Sequence, residues 1–348
     1  HHRRSGRRSL VGGICRNVME VRTLDYHTGG EPLRIITAGL PDLPGDTVLQ
    51  RRRYMRENLD HYRRFLMLEP RGHADMYGAV LTPPATEDGD VAVLFLHNEG
   101  YSTMCGHGII ALVTAGLEHG LFEVRDPQVI RIDSPAGRIT ACAQRGAAGQ
   151  VESVSFLNVP SFVLEPGLEV EVDGQPVECT IAFGGAFYAY VDAAPLGFQL
   201  DASEAPEVIR LGRKIKQAVN AGYEIRHPDG DDDLNFLYGT IFVRAGENFR
   251  HSRNACVFAR AQLDRSPTGT GVSGRAAIHH ARGDIGLHEE LLIESIIGSE
   301  FRVHCVEETR VGPYPAIVPE VTGSAHMTGE HRFTPDERDP LKHGFLLR

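Results

Sequence analysis

Met104-Cys105-Gly106-His107-Gly108-Ile109-Ile110 and Pro267-Thr268-Gly269-Thr270-Gly271-Val272-Ser273 are two copies of one pattern. Each sets a nucleophile-type side chain before a Gly, a polar residue, a second Gly and the apolar opening of a helix. Two such copies facing each other make a pocket with two walls, and only one wall carries a thiol. The duplication also predicts a duplicated fold.

The surroundings of each copy agree. Ahead of the first, Met19–Tyr26 and Leu33–Thr37 read as strands around the turn-rich His27-Thr28-Gly29-Gly30-Glu31-Pro32. Thr47–Leu68 reads as one helix, with Met55, Leu59, Tyr62 and Leu66 on one face. Its Arg51–Arg53 and Arg63–Arg64 clusters, interleaved with Glu57 and Asp60, read as a solvated face rather than an anion patch. Met76–Leu81 and Val91–His97 are strands, and the first Gly-rich turn opens a helix through Leu117. Val129–Ile132, Ile139–Ala143 and Val151–Phe156 follow as short strands. A second series has strands at Val170–Val172, Val177–Ala182 and up to Val191, then a helix over Pro206–Ala221. Strands at Phe236–Val243 and Ala255–Arg260 precede the second Gly-rich turn, whose helix runs to about His280. Short strands around one central helix, twice over, predict an α+β chain of two similar halves with a joint near Pro160–Glu171. The expected division is a disordered or non-native basic extension over 1–18, one half over 19–165, and another over 166–348 whose last strand can return to the first half.

Composition sets the bounds. The 348 residues are 41% hydrophobic and 24% charged, with a formal net charge of −10. Arg3, Arg4, Arg7, Arg8 and Arg16 all fall in the first 19 residues, which hold no acid, so the rest is more acidic still. An acidic body disfavours phosphate-backbone binding and excludes nucleic acid as the expected partner. No run approaches the length of a membrane span. Six cysteines without a CxxC pair, in a chain able to build a full core, point to reduced thiols and a cytoplasmic setting.

The chemistry follows from helix ends. The first N–H groups of a helix lack intrahelical partners and carry the positive end of its dipole. Two starts aimed at one point therefore cradle a carboxylate. The same field is expected to lower the pKa of Cys105 and make it a thiolate able to remove an α-proton. Cys142, Cys179, Cys256 and Cys305 lie in apolar runs and read as small buried hydrophobes. Gly269-Thr270-Gly271-Val272-Ser273-Gly274 satisfies GxGxxG, but Asp264-Arg265-Ser266-Pro267-Thr268 separates it from the preceding strand and no acid-terminated strand follows. His27, His73, His97 and His107 have no compact metal-ligand spacing, so no metal is expected. Asp75 lies in a loop and suits a turn. Asp264, four residues before Thr268, either faces the pocket to pair with a substrate ammonium or serves as a turn or cap acid. Spacing leaves both open.

These residues resemble the signature motifs of the proline racemase family: Met104-Cys105-Gly106-His107, Asp264 through Gly271, His27-Thr28-Gly29-Gly30-Glu31-Pro32-Leu33-Arg34 and Glu69-Pro70-Arg71-Gly72-His73. The resemblance runs from about Met19 to Arg348. It implies the diaminopimelate-epimerase-like fold, two pseudo-symmetric halves with the active site in the cleft between them. It also implies chemistry without pyridoxal phosphate or metal, and a homodimer. Racemases and epimerases of the family carry Cys in both motifs; here the second position is Thr268. A Cys/Thr pair marks the members that dehydrate trans-3-hydroxy-L-proline, and the chain resembles the vertebrate ones. The resemblance implies Cys105 as the acid–base group with His107 assisting. Backbone at Gly106, His107, Gly269 and Thr270 would then hold the substrate carboxylate, Asp264 would lie near the ring nitrogen, and Thr268 would supply polarity and shape. A racemase or 4-hydroxyproline epimerase, or a catalytically silent amino-acid-binding member, are the alternatives.

Overall fold

Most apolar residues come in short runs, so the chain builds strands and few helices. The structure is a computed structural model that describes residues 20–229 and 232–347; the basic extension expected over 1–18 lies outside the described residues. Among the described residues there are eighteen strands and five α-helices. The helices are α1 (Val48–Asn58), α2 (Asp60–Met67), α3 (Gly106–His119), α4 (Ala205–Gly222) and α5 (Gly269–Arg282).

The strand pairings repeat. In the first half, Val21–Thr28 and Glu31–Ala38 form a hairpin, α1 and α2 cross over to Tyr77–Thr82 in parallel, and Val91–His97 returns antiparallel. After α3, Ile130–Ser134 runs parallel to Val91–His97, and Gly137–Arg145 and Val151–Leu157 follow as a meander. In the second half, Gln175–Phe183 and Phe187–Asp192 form the hairpin, and α4 crosses over to Leu237–Asn248 in parallel. His251–Phe258 then returns antiparallel. After α5 come Leu291–Glu294, parallel to His251–Phe258, then Glu300–Val311 and Tyr314–Gly323. The two halves thus share one order of hairpin, parallel crossover and central helix. Two further strands tie them together. Ser161–Val172 pairs with Gln175–Phe183 and Tyr314–Gly323, and Ala325–Phe333 pairs with Val21–Thr28.

Each sheet wraps its central helix. In α3, Ile109, Ile110, Ala111, Leu112 and Val113 are all fully buried, as a helix apolar on every side must be. Helix α5 is built from smaller residues and buries even Arg275, whose guanidinium donates to Ser252 Oγ at 2.6 Å. Both helices end on a left-handed glycine, Gly120 and Gly283. Helix α4 is amphipathic and lays Val208, Gly212, Ile215 and Val219 on the outside of its sheet.

Two sequence expectations change. The helix expected over 47–68 breaks at Leu59 (φ −127°, ψ 16°), which turns Tyr62, Phe65, Leu66 and Met67 inward. Three of its arginines leave the expected solvated face, while Arg64 stays on it. Arg51, Arg52 and Arg63 are buried, and donate to Gly45 O at 2.9 Å, Tyr101 O at 2.7 Å and His97 O at 3.1 Å, respectively. A guanidinium's fork of donors satisfies loop carbonyls that no strand reaches. Where the joint is expected, near Pro160–Glu171, the chain is extended as the strand Ser161–Val172, in which Pro166 and Gly167 form a bulge opposite Thr180, whose Oγ1 donates to Pro166 O at 3.0 Å. Residues 281–333, in which the sequence reading placed only a last strand able to return to the first half, form four strands.

The two central helices meet start to start. A Cβ added to Gly106 would lie 2.4 Å from Gly269 Cα, and one added to Gly269 would lie 2.5 Å from Gly106 Cα. Backbone against backbone has no side chain to move aside. Gly106→Ala or Gly269→Ala should therefore cost about 3 kcal/mol, the upper end for overpacking. Urea denaturation measures this, and a cost under about 0.5 kcal/mol would show that the helix starts separate freely.

Candidate active site

Cys105 is the N-cap of α3, and its Sγ accepts the Gly108 N–H at 3.2 Å. Two residues on, the His107 ring turns back, bringing Nδ1 to 3.1 Å from that sulfur. Its Nε2 lies 3.1 Å from the carbonyl of Pro32, in the His27–Pro32 turn. A carbonyl only accepts, so Nε2 carries the proton and the Nδ1 lone pair faces the thiol. Thr28 Oγ1 donates to His107 O at 2.9 Å and fastens the same turn to the helix.

Across the gap Thr268 precedes α5 with a positive φ of 70°, costly for a β-branched residue. The loop before it enforces that conformation. Asp264 accepts from Ser266 N at 2.7 Å and from Thr268 Oγ1 at 2.8 Å, while Thr268 N donates to Ser266 Oγ at 3.1 Å. The threonine hydroxyl is thus committed to a carboxylate.

Cys105, Gly106 and His107 on one side and Asp264, Thr268, Gly269 and Thr270 on the other line a single small cavity. Tyr77, Tyr188, Tyr238, Phe258 and Met104 complete the wall. Tyr188 Oη bonds Thr270 Oγ1 at 2.8 Å, and Tyr77 Oη lies 3.2 Å from Tyr238 Oη, a contact that joins the halves. By helix geometry the first N–H groups of α3 and α5 have no intrahelical acceptor and converge on this space. A pair of helix starts of this kind can hold an anion.

Burial shifts the charges. It pushes the Cys105 thiol well above its usual range, and the nearby carboxylates of Asp264 and Glu31 push the same way against the Gly108 N–H. This corrects the expectation of a thiolate: one helix end does not offset full desolvation beside two acids. Burial also lowers His107, so thiol and imidazole are both neutral at rest. Glu31 is fully buried, and burial together with Asp264 raises its carboxyl well above the ordinary value against the pull of Arg265. Arg265 donates its backbone N–H to Glu31 Oε2 at 2.8 Å and sets its guanidinium 3.3 Å from Asp75 Oδ2. Glu31, Arg265 and the tyrosines carried no functional assignment in the sequence reading; an acid in a Gly-Gly turn beside an apolar strand was the available signal.

The remaining candidates disperse. His73 is exposed; His27 rests against His326 with ring centroids 5.5 Å apart. His97 packs among Tyr77, Tyr238 and Phe258, and burial among nearby cations lowers it to about 3. Among the described residues, the metal-type donors that do converge are His251, Glu294 and Glu300, none of these histidines. The GxGxxG run is the first turns of α5. Its glycines serve packing: a Cβ on Gly274 would meet Tyr190 Oη at 2.1 Å.

The proline racemase family profile matches residues 23–346. A trans-3-hydroxy-L-proline dehydratase of Colwellia psychrerythraea is 48% identical over 95% of this chain and 93% of that protein. A 3-hydroxyproline 2-epimerase of Burkholderia multivorans is 46% identical over 94% and 98%. Among solved structures, a hydroxyproline epimerase from Agrobacterium vitis with bound trans-4-hydroxy-L-proline superposes with a TM-score of 0.88 at 31% identity, covering 94% of this chain and 96% of that one. A phenazine biosynthesis protein of Bacillus anthracis, 12% identical with a TM-score of 0.57 over 90% and 99% of the two chains, shares the fold alone.

A neutral resting thiol has a direct signature. Alkylation of Cys105 by iodoacetamide in the ligand-free protein, followed by mass spectrometry, should keep accelerating above the ordinary thiol pKa of about 8.5. A plateau near neutral pH would mean a resting thiolate–imidazolium pair.

Proposed function

The chain belongs to the proline racemase family, and on that premise we propose that it is a cofactor-independent hydro-lyase converting trans-3-hydroxy-L-proline to Δ1-pyrroline-2-carboxylate. One observation carries the reading: the cavity has a thiol on one wall and, facing it, a threonine hydroxyl already donated to Asp264.

In trans-3-hydroxy-L-proline the 3-hydroxyl is opposite the carboxylate, so it shares a ring face with the α-hydrogen. One acid–base group on that face can serve both. The substrate carboxylate docks on the converging N–H groups of Gly106, His107, Gly269 and Thr270, with its ring nitrogen toward Asp264. His107 Nδ1 accepts the Cys105 proton, and the thiolate removes the α-proton. Negative charge at the α-carbon expels the neighbouring hydroxide as Cys105 returns the proton to it, releasing water. The enamine then tautomerises to the cyclic imine. On the opposite face Thr268 is too weak an acid to reprotonate the carbanion quickly, so elimination outruns inversion.

A slow epimerisation is the second reading, favoured by the Thr268–Asp264 hydrogen bond of 2.8 Å. Through it, a proton held by the acid pair can reach the far face. The Burkholderia relative bears an epimerase name.

We place the enzyme in the cytosol as a homodimer, in keeping with the five described cysteines, all free. No described helix is long and apolar enough to cross a membrane.

Purified protein incubated separately with trans-3-hydroxy-L-proline, trans-4-hydroxy-L-proline and L-proline should give the cyclic imine from the first alone. Cys105→Ser should lose at least about 10⁴-fold in kcat/KM, whereas Thr268→Ala keeps activity within about 10²-fold. Equal loss in both would give Thr268 essential chemistry. Thr268→Cys restores a proton donor on the second face and should racemise proline; polarimetry that shows no rotation change would refute the two-wall account.

A further inference from the structure

Elimination of water does not complete the chemistry of such a site. It leaves a ring with a C2=C3 double bond beside a nitrogen that still carries two protons. The cyclic imine forms only when one proton leaves that nitrogen and another reaches C3. Cys105 has by then given its proton to the departing hydroxide, and its sulfur stays on the face from which the hydroxide left.

The opposite wall holds a matched pair of groups. Asp264 is the one carboxylate among the described residues that line the cavity, so the positive ring nitrogen is drawn to it. Its Oδ1 accepts from Ser266 N at 2.7 Å and its Oδ2 from the Thr268 hydroxyl at 2.8 Å. A threonine at a helix start ordinarily turns its oxygen onto the first N–H groups of its own helix. Thr268 makes no such bond, whereas Cys105, at the matching place on α3, does. The Thr268 backbone instead holds its positive φ of 70° while the hydroxyl reaches Asp264. One hydrogen bond thus joins the acid that faces the nitrogen to the hydroxyl that faces the far side of the ring. Behind them, fully buried Glu31 also hydrogen-bonds Asp264. Two carboxyl groups share a hydrogen bond only with a proton between them, so this pair carries one negative charge rather than two. A carboxylate that already accepts from several donors is a weaker base, and passes on a proton it has taken.

We propose that Asp264 and Thr268 give the site a second activity, the enamine–imine tautomerisation of the bound elimination product. This step rests on the dehydration proposed above. Asp264 takes one N–H proton. Its hydrogen bond to Thr268 then reverses: the acid donates to the threonine oxygen as the threonine hydroxyl donates to C3. The C2=C3 electron pair forms the new C3–H bond, and the nitrogen lone pair closes the C2=N bond. One proton has left nitrogen, one has reached C3, and both side chains are as they began. Timing separates this step from inversion. While the α-carbanion exists, Thr268 could give up its proton only by becoming an alkoxide. Once Asp264 holds the nitrogen's proton, the hydroxyl is backed by an acid.

The test is the face on which C3 gains its hydrogen. The full chain, equimolar with trans-3-hydroxy-L-proline in D2O, is quenched at once with sodium borohydride, and the singly deuterated L-proline is read by NMR. The substrate's N–H protons exchange with D2O before binding, so delivery by this chain of groups places deuterium on the face of the carboxylate, opposite the departed hydroxyl. It should exceed deuterium on the other face by about tenfold or more. Thr268→Ala should bring the ratio toward one to one in the imine that it forms, and Thr268→Ser should keep it. Equal deuteration of both faces by the unaltered chain overturns the proposal, since it assigns the step to free solution. An excess on the hydroxyl's face also overturns it and assigns the step to Cys105, as does a ratio that Thr268→Ala leaves unchanged, which removes the threonine from the step. A chain that yields no trapped proline at all overturns the dehydration itself, and this step with it. The partition in the unaltered chain decides even where a variant fails to fold.

Discussion

Two glycine backbones in contact, Gly106 against Gly269, set the geometry of everything else. Helix starts brought this close aim two positive dipole ends at one point, an arrangement that repels itself in a dry interior. Buried acids from both halves, Glu31 and Asp264, compensate that field. The sheets wrapped around α3 and α5 supply the rest, because two fully buried helices cannot retreat without exposing their apolar faces.

The electrostatics separate structure from reactivity. A thiol at a helix start is commonly read as an activated one, and here the desolvation of a closed cavity outweighs the helix. The thiol is held neutral beside a neutral imidazole whose tautomer the Pro32 carbonyl sets. Proton transfer between them is then a short step that can await the substrate's positive nitrogen and the displacement of water. Asp264 serves both walls: it accepts the Thr268 hydroxyl and, with Glu31, contributes the negative charge that raises Cys105. The asymmetry of one sulfur and one alcohol therefore extends into the hydrogen bonding behind them.

Much of this was legible in the chain. The paired Gly-rich motifs located both central helices, and local alternation found most strands up to His251–Phe258, because these signals are local. Other features were invisible for a physical reason. Arg51, Arg52 and Arg63 look like surface charges, since nothing near them in sequence reveals that distant loop carbonyls need donors. Leu59 sits on the apolar face of an unbroken helical period, which carries no mark of the break seen at φ −127°, ψ 16°.

The sequence by itself determined the duplicated α+β plan, the family resemblance, the residues of both motifs and the lone thiol, because each is written in adjacent residues. Only the tertiary structure decided that the two glycines touch, that Glu31 is a fully buried acid whose carboxyl is pushed up, that burial pushes the Cys105 thiol up, and that Ala325–Phe333 crosses to pair with Val21–Thr28. Those depend on the dielectric surroundings and contacts between segments far apart in the chain, quantities that no local pattern of residues encodes.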